Sequence, residues 1–221
     1  MSAARPPEGA RTAAREREAT PVTTPLRRAA LLDRDGVLNV DHGYVGRIAD
    51  FEWLPGVPAA LAQLQQAGYA LVVITNQSGI ARGYYSEADF ATLTAHMRAE
   101  LAAQGVTLDA VYHCPHLPQA ELAAYRQDCD CRKPRPGMIT RAAAELGLDL
   151  AASCLFGDKP GDIQAGHAAG VGRCWLIADN PAAKDADGAG DCGRAASLAQ
   201  AVQLQLTAAG FTDASPGPAA A

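Results

Sequence analysis

The 221-residue sequence has few aromatic side chains, no long apolar run and no excess of basic charge. Aromatic residues make up only 5% of the chain and hydrophobic residues 48%, which indicates the aliphatic core common in α/β proteins. No segment approaches the roughly 18 apolar residues that a membrane helix needs. The net charge of -5 argues against a general nucleic-acid or acidic-membrane surface. We therefore expect no nucleic-acid partner and no membrane partner.

The N-terminal region also lacks the apolar stretch of a secretory signal peptide, so we expect a cytoplasmic protein. Residues 1–27 are rich in Ala, Arg, Glu, Pro and Thr without apolar periodicity, which predicts a disordered arm. Residues 28–208 are long enough for one domain with a full core. The Gly-, Pro- and Ala-rich residues 209–221 are predicted to form a frayed tail.

Short apolar runs alternate with helical patterns in the predicted domain. Strands are predicted from Ala29 to before Asp33 and at residues 69–74, 110–113, 153–156 and 173–177, with helices at 57–66, 86–103, 138–146, 163–169 and around 198–206. This order predicts an α/β fold with a Rossmann-like parallel sheet and helices on both faces. Only the 21 residues 36–56 separate the first strand's aspartates from the first helix, so we expect no large cap domain.

Polar side chains follow three of these strands. Asp33 and Asp35 follow the first, Thr75 the second and Asp158 the fourth, while Lys133 lies in a loop before a helix. The carboxyl ends of parallel strands share one edge of a sheet, where ligands bind in open α/β folds. Paired carboxylates repel unless a cation or a proton joins them, and Mg²⁺ prefers oxygen ligands together with a substrate phosphate. The pattern therefore indicates phosphoryl chemistry, although Asp35-Gly36 alone could be an ordinary turn.

Three cysteines and one histidine form a second cluster in the sequence. Cys114-Pro-His116 and Cys129-Asp-Cys131 flank a polar loop of 12 residues, 117–128. Three thiolates and an imidazole match a closed tetrahedral zinc site, and the alternatives are buried free thiols or a redox pair. We predict a structural zinc that orders this loop and fixes the position of Lys133.

The motifs Asp33-Arg-Asp-Gly36, Thr75, Lys133 and Gly157-Asp158-x-x-x-Asp162 resemble those of the haloacid dehalogenase superfamily of phosphatases. The resemblance implies that Asp33 is the nucleophile that forms an aspartyl-phosphate, and that Asp35 is the general acid and then the base. It implies that Thr75 and Lys133 hold the transferring phosphoryl group, with Mg²⁺ between the Asp33 carboxylate, the Asp35 backbone carbonyl and Asp158. Asp162 is interpreted as indirect support, the alternative being a solvated carboxylate in the first helical turn.

The cysteine and histidine pairs ahead of Arg132-Lys133-Pro134 resemble two narrower families, the D-glycero-D-manno-heptose 1,7-bisphosphate 7-phosphatases and the histidinol-phosphate phosphatases. Segments 40–45 and 75–83 are similar to the heptose enzymes, and the resemblance covers residues 29–177. It implies removal of the 7-phosphate during nucleotide-activated heptose biosynthesis. Pro160-Gly161 departs from the family pattern and leaves the local loop shape open.

The resemblance also implies which residues contact a small phosphorylated sugar, and we expect the chain to act as a monomer. The implied contacts are Asp41, His42, Gly43, Tyr44, Thr75, Asn76, Gln77, Ser78, Arg132, Lys133 and Lys159. Arg132, Lys159 and Arg82 suit a second phosphate, whereas a pocket acid facing a substrate ammonium would favour histidinol phosphate. A non-catalytic, zinc-ordered binding module is the remaining alternative.

Overall fold

The computed structural model describes residues 25–178 and 190–211. Most of the predicted N-terminal arm and most of the predicted tail lie outside the described residues. The strands are β1 (Ala29–Leu32), β2 (Ala70–Asn76), β3 (Ala110–Cys114), β4 (Cys154–Gly157), β5 (Arg173–Ile177) and β6 (Gly193–Ala195). The α-helices are α1 (Val57–Gln66), α2 (Ser78–Ala81), α3 (Glu87–Ala102), α4 (Gly137–Leu146), α5 (Pro160–Ala169) and α6 (Leu198–Ala208), with 3-10 turns at Ile48–Asp50 and Ala123–Tyr125.

The six strands form one parallel sheet in the order β3-β2-β1-β4-β5-β6. Strand β1 pairs with β2 on one side and β4 on the other, so that Leu31 lies beside both Val72 and Leu155. The strand order reverses at β1, and this switch point is where open α/β sheets bind ligands at their carboxyl ends. The predicted parallel, Rossmann-like sheet is confirmed.

Helices cover both faces of the sheet. One core cluster joins α1, α3 and α6 to alternate strand residues such as Leu32 and Phe156, and the other joins α4 and α5 to Leu31 and Leu155. Successive strand side chains point to opposite faces, so β1 is buried on both sides and is apolar throughout. The prediction of helices on both faces is confirmed.

Two helices begin where local sequence signals place them. Helix α1 has the predicted bounds, with Pro58 in its first turn. Ser86 precedes α3 and forms a capping box, because its side chain accepts a hydrogen bond from the Asp89 backbone and the Asp89 carboxylate accepts one from the Ser86 backbone. The predicted start of α3 is therefore confirmed to within one residue.

The structure differs from the predictions at the edges of the domain. Arg27, predicted to lie in the disordered arm, exchanges backbone hydrogen bonds with Gly147 and Asp149 and forms a 3.0 Å ion pair with Asp109. The short strand β6 was not predicted, because three residues beginning with glycine leave no apolar run to detect. Between Asp35 and α1 the chain forms only loops and one 3-10 turn, so a large cap is absent there as predicted. None of the described helices is long and apolar enough to cross a membrane.

Candidate active site

Asp33 lies directly after β1, at the switch point of the sheet. Its backbone N–H donates to the Phe156 carbonyl at 2.9 Å, which continues the pairing with β4, and the residue is only 7% exposed. The Lys133 ammonium donates to Asp33 Oδ1 at 2.8 Å across 100 residues of sequence. One carboxylate oxygen is thus held by a cation, which fixes the plane of the group.

Lys133 is buried between the ends of β1, β2 and α5. Its Nζ also donates to the Ile74 carbonyl at 2.8 Å and lies 2.6 Å from Asp162 Oδ1. Burial would lower the pKa of Lys133, but the Asp33 and Asp162 carboxylates outweigh this effect and raise it. The lysine therefore carries its positive charge at neutral pH.

Asp33, Asp158 and Asp162 form a group of three carboxylates whose oxygens lie within 4.8 Å of one another. Both oxygens of Asp162 have protein partners, since Oδ1 meets Lys133 and Oδ2 accepts a hydrogen bond from the Lys159 backbone at 3.0 Å. Asp162 is only 4% exposed, so the alternative of a solvated helix carboxylate is wrong. Its contacts are those of a residue that holds the lysine and the start of α5.

The Asp158 carboxylate, in contrast, has a protein partner for only one of its two oxygens. Its Oδ1 is buried without a hydrogen-bond partner, and burial, together with the Asp33 charge, raises its pKa to about 7. An orphaned oxygen beside a second carboxylate is a fitting position for a hard divalent cation. Gly36, with φ +85°, leaves room for the Asp158 side chain, because a Cβ at this position would lie 2.5 Å from Asp158 Oδ2.

The Asp35 carboxylate lies outside this group and is held by three side chains. Arg34, only 1% exposed, donates to Oδ1 at 2.9 and 3.1 Å, and Asn39 donates to the same oxygen at 3.0 Å. The Gln77 amide donates to Oδ2 at 3.0 Å. Sequence reasoning did not identify Arg34 or Asn39, although Arg34 lies within the motif Asp33–Gly36 and Asn39 follows three residues after it.

The end of β2 supplies polar groups to the same edge. Thr75 is buried and its hydroxyl accepts a hydrogen bond from Gln77 at 2.8 Å. The side-chain amide of Asn76 exchanges two 3.1 Å hydrogen bonds with the Lys133 main chain. Ser78 is half-buried at the start of α2. Asn76 and Gln77 remain predictions as substrate contacts. The polar atoms of both side chains already have protein partners, which leaves them less free to bind a substrate.

The loop at residues 41–44 lies at the mouth of the crevice. Asp41 accepts a hydrogen bond from the Gly43 backbone at 3.0 Å and lies 3.4 Å from the Lys159 ammonium, which is 3.1 Å from Asp158. His42 is exposed and lies 3.8 Å from Glu52. Lys159 therefore links the predicted substrate loop to the end of β4.

Two exposed aromatic rings also belong to this mouth. Tyr44 packs edge-on against Tyr84 at a centroid distance of 4.9 Å, and the Arg82 guanidinium lies 5.6 Å from the Tyr44 ring. Tyr84 was not predicted as part of the site, and only its position between segment 75–83 and α3 could have suggested it. The rings and the cation together form a surface suited to a polar, phosphorylated ligand.

The predicted zinc ligands converge into one cluster, called here the sulfur cluster. Its Sγ atoms lie 2.9–3.5 Å apart, and His116 Nδ1 is 3.4 Å from Cys131 Sγ and 3.8 Å from Cys114 Sγ. A tetrahedral zinc with ordinary bond lengths requires ligand separations of about 3.5–3.8 Å, so some of these atoms would move slightly apart around the ion. Three sulfurs and one ring nitrogen facing one point are the donor types that zinc prefers. The Gln127 amide nitrogen lies 2.8 Å from His116 Nε2. If Nδ1 binds zinc, Nε2 carries the proton, and a half-turn of the amide would place its oxygen there as the acceptor.

Arg132 lies between the sulfur cluster and Lys133. Its guanidinium donates to the His116 carbonyl at 3.3 Å, and the residue is half-buried. The loop that carries the cluster thus enters the crevice at Lys133, whereas Arg132 contacts the cluster's own His116 and remains a prediction as a substrate contact. We conclude that the two sites share one structural element.

Comparisons with known proteins agree with this geometry. The family model of the haloacid dehalogenase-like hydrolases matches residues 14–170 of this sequence. D-glycero-beta-D-manno-heptose-1,7-bisphosphate 7-phosphatase from Salmonella typhi is 52% identical over 164 residues, which is 74% of this chain and 87% of that protein. The protein of the same name from Escherichia coli (strain K12) is 49% identical over 180 residues, covering 80% of this chain and 94% of that protein.

Solved structures show the same relationship. D,D-heptose 1,7-bisphosphate phosphatase from B. bronchiseptica, crystallised with magnesium and phosphate, superposes with a TM-score of 0.70 and 32% identity over 82% of this chain and 99% of that one. A HAD-like phosphatase from Mesorhizobium loti gives a TM-score of 0.74 and 35% identity over 87% and 90% of the two chains. The chain belongs to the haloacid dehalogenase-like hydrolases and, within them, to the D-glycero-beta-D-manno-heptose-1,7-bisphosphate 7-phosphatase family.

Proposed function

We propose that this phosphatase hydrolyses the 7-phosphate of D-glycero-D-manno-heptose 1,7-bisphosphate through a phosphoryl group carried on Asp33. The observation that supports this most directly is the meeting of Asp33, Lys133 and Asp158 at the switch point of the sheet. Relatives that share about half of the residues carry the corresponding name. A nucleophile, a buried cation and a carboxylate with one free oxygen within one crevice are the components that phosphoryl transfer needs.

In the first half-reaction, an Asp33 carboxylate oxygen attacks phosphorus and the bond from phosphorus to the sugar oxygen breaks. Lys133 and the Thr75 hydroxyl hold the phosphoryl oxygens, and Asp35 donates a proton to the leaving sugar oxygen. In the second half-reaction, Asp35 takes a proton from the attacking water, the acyl phosphate is cleaved and the Asp33 carboxylate is regenerated. Splitting one displacement in this way replaces one difficult step with two easier ones.

We also propose that Mg²⁺ binds between the Asp33 carboxylate, the Asp35 backbone carbonyl and Asp158. The ion supplies charge neutralisation for the transferring phosphoryl group. The unpaired Oδ1 of Asp158 supports this assignment, whereas Asp162 is already engaged by Lys133 and the Lys159 backbone. The magnesium in the related B. bronchiseptica structure agrees with it.

A structural zinc is proposed for the sulfur cluster. The convergence of its four donor atoms and the three soft sulfurs among them support zinc, and a set of four protein ligands leaves no open position for a substrate. Its role would be to order residues 114–133, which carry Arg132 and Lys133. We assign it no chemical step.

Arg132, Arg82 and Lys159 are proposed to face the parts of the substrate that do not react. The Asp41 carboxylate, an acid that could meet a substrate ammonium, lies beside Lys159, so its charge is already offset. This pairing favours a bisphosphate over histidinol phosphate.

The decisive experiment measures which phosphate is released. With Mg²⁺ present, the purified chain is incubated with heptose 1,7-bisphosphate, and the product is followed by phosphorus NMR. We expect loss of the 7-phosphate and retention of the 1-phosphate, with turnover well above that of histidinol phosphate. Preferential hydrolysis of histidinol phosphate, or release of the 1-phosphate, would contradict the proposal.

A further inference from the structure

Tyr85 lies beside the crevice without a role in the reaction described above. It follows α2, is 8% exposed, and its ring is enclosed by two glycines. A Cβ at Gly46 would lie 2.2 Å from the ring, and one at Gly79 would lie 2.3 Å from it. The absence of side chains at both positions lets the ring pack between the loop that holds Gly46 and helix α2, which fixes the place of its hydroxyl.

The Tyr85 hydroxyl donates a hydrogen bond to Gln77 Oε1. Burial raises the pKa of Tyr85 to about 12, so the hydroxyl keeps its proton at neutral pH. On the other side, Gln77 Nε2 donates to Thr75 Oγ1 at 2.8 Å and to Asp35 Oδ2 at 3.0 Å. One buried amide therefore connects a tyrosine to two residues of the reaction.

The direction of the Gln77 amide matters because its two ends have nearly the same shape. If the amide were reversed, its oxygen would face Asp35 Oδ2, and two acceptors would oppose each other whenever Asp35 is ionised, as the second half-reaction requires. The Tyr85 donor holds the amide oxygen on the far side, and so keeps the amide nitrogen directed at Asp35 and Thr75. Gln77 is only 1% exposed, so water cannot easily replace this donor.

We propose that Tyr85 is a positioning residue that acts through Gln77 to aim the Asp35 carboxyl at the leaving oxygen. This inference rests on the proposed role of Asp35 as general acid. It changes the expected part of Gln77 from a substrate contact to a link between two functional groups. The proton transfer itself involves only Asp35, the leaving oxygen and water.

The test compares Tyr85→Phe with Tyr112→Phe. Tyr112 is a matched control, because it is 9% exposed, donates one hydrogen bond at 2.7 Å to Glu145 and lies outside the crevice. Single-turnover rates of the first half-reaction are measured for a series of phosphate esters whose leaving groups differ in basicity. We expect Tyr85→Phe to slow esters of basic alcohols roughly three- to tenfold and aryl phosphates hardly at all, with KM unchanged. Tyr112→Phe should leave the whole series unchanged.

A double-mutant cycle separates action through Gln77 from a general loss of order. In a Gln77→Leu background the Tyr85 hydroxyl has lost the amide through which it acts on Asp35, so adding Tyr85→Phe should cost no further activity. Multiplying losses would overturn the proposal, and so would equal losses for all leaving groups in Tyr85→Phe. Melting temperatures of all variants are recorded, and the comparison of the two tyrosines stands even if Gln77→Leu does not fold.

Asp35→Asn distinguishes failure of this inference from failure of the proposed function. If Asp35→Asn slows basic leaving groups selectively and Tyr85→Phe does not, only the role of Tyr85 is wrong. If Asp35→Asn slows all esters equally, the assignment of Asp35 as general acid fails, and the inference fails with it.

Discussion

The carboxylate crevice and the sulfur cluster are both built from residues far apart in sequence, but different parts of the fold position them. In the crevice, Asp33, Thr75 and Asp158 are placed by the ends of three adjacent strands. The sulfur cluster joins the end of β3 to a long loop that packs few apolar side chains of its own. Regular backbone pairing can position the first site without a ligand, whereas for the second we propose that a metal takes the place of the missing core.

Lys133 belongs to both regions, which makes the comparison testable. Its side chain reaches into the crevice, while its backbone follows the sulfur cluster by two residues. Asn76 of β2 binds the same backbone from the other side. Removing groups from each region should therefore separate loss of chemistry from loss of positioning.

The largest effect is expected for Asp33→Asn. Asparagine keeps the shape but cannot act as the nucleophile, so kcat should fall at least about a thousandfold. The melting temperature should not fall, because one of three neighbouring carboxylates loses its charge and Lys133 keeps Asp162 as a partner. Zinc content, measured by elemental analysis, should stay the same. An acid-stable phosphoenzyme on another residue, found by rapid quench, would show that Asp33 is not the nucleophile.

This contrast also explains how much of the molecule could be predicted from sequence. Helix α1 and strand β5 have the predicted bounds, because apolar spacing and flanking glycines define them locally. The burial of Asp162 against Lys133 could not be predicted, since it depends on how a loop crosses the sheet edge. The links from Arg34 and Tyr85 to Asp35 are of the same kind, because pairwise contacts between side chains leave no periodic signal.

Breaking the sulfur cluster should give the next largest effect. Serine is a poor ligand for zinc, so Cys129→Ser should lose the metal and lower the melting temperature by about 5–10 °C. Because Lys133 then moves, kcat should fall roughly tenfold to a hundredfold. Cys192→Ser is the control, as Cys192 lies outside the cluster, and it should retain zinc and activity. Wild-type protein that contains no zinc after gentle purification would contradict this account.

The affinity for Mg²⁺ should depend on pH because of the carboxylate crevice, with no contribution from the sulfur cluster. Burial raises the pKa of Asp158 to about 7, so below pH 7 a proton competes with the cation, and the apparent Kd for Mg²⁺ should rise about tenfold per pH unit. The same shift means that the metal-free fold binds a proton that the unfolded chain releases. The proton bound to Asp158 stabilises the metal-free fold, and this contribution to the free energy of unfolding is lost as the pH rises from about 4 to 7.

Calorimetric titration with Mg²⁺ between pH 5.5 and 8 measures this dependence, and melting curves without Mg²⁺ over the same range control for acid unfolding. An apparent Kd that stays constant below pH 7 would mean that Asp158 does not bind the ion. Zinc content should stay constant over this range of the titration if the crevice alone responds.

The smallest effect is expected for Asn76→Ala, which removes the strand-side anchor of Lys133 and leaves the sulfur cluster intact. Two hydrogen bonds to the Lys133 backbone are lost, so kcat should fall roughly threefold to thirtyfold, with zinc content unchanged. The combination with Cys129→Ser sharpens the comparison between the regions. If both anchors hold the same lysine, either one alone retains part of its position, and the double variant should lose more than the product of the single losses. A loss equal to that product would show that the strand and the metal act on Lys133 independently, and the shared-anchor interpretation would be wrong.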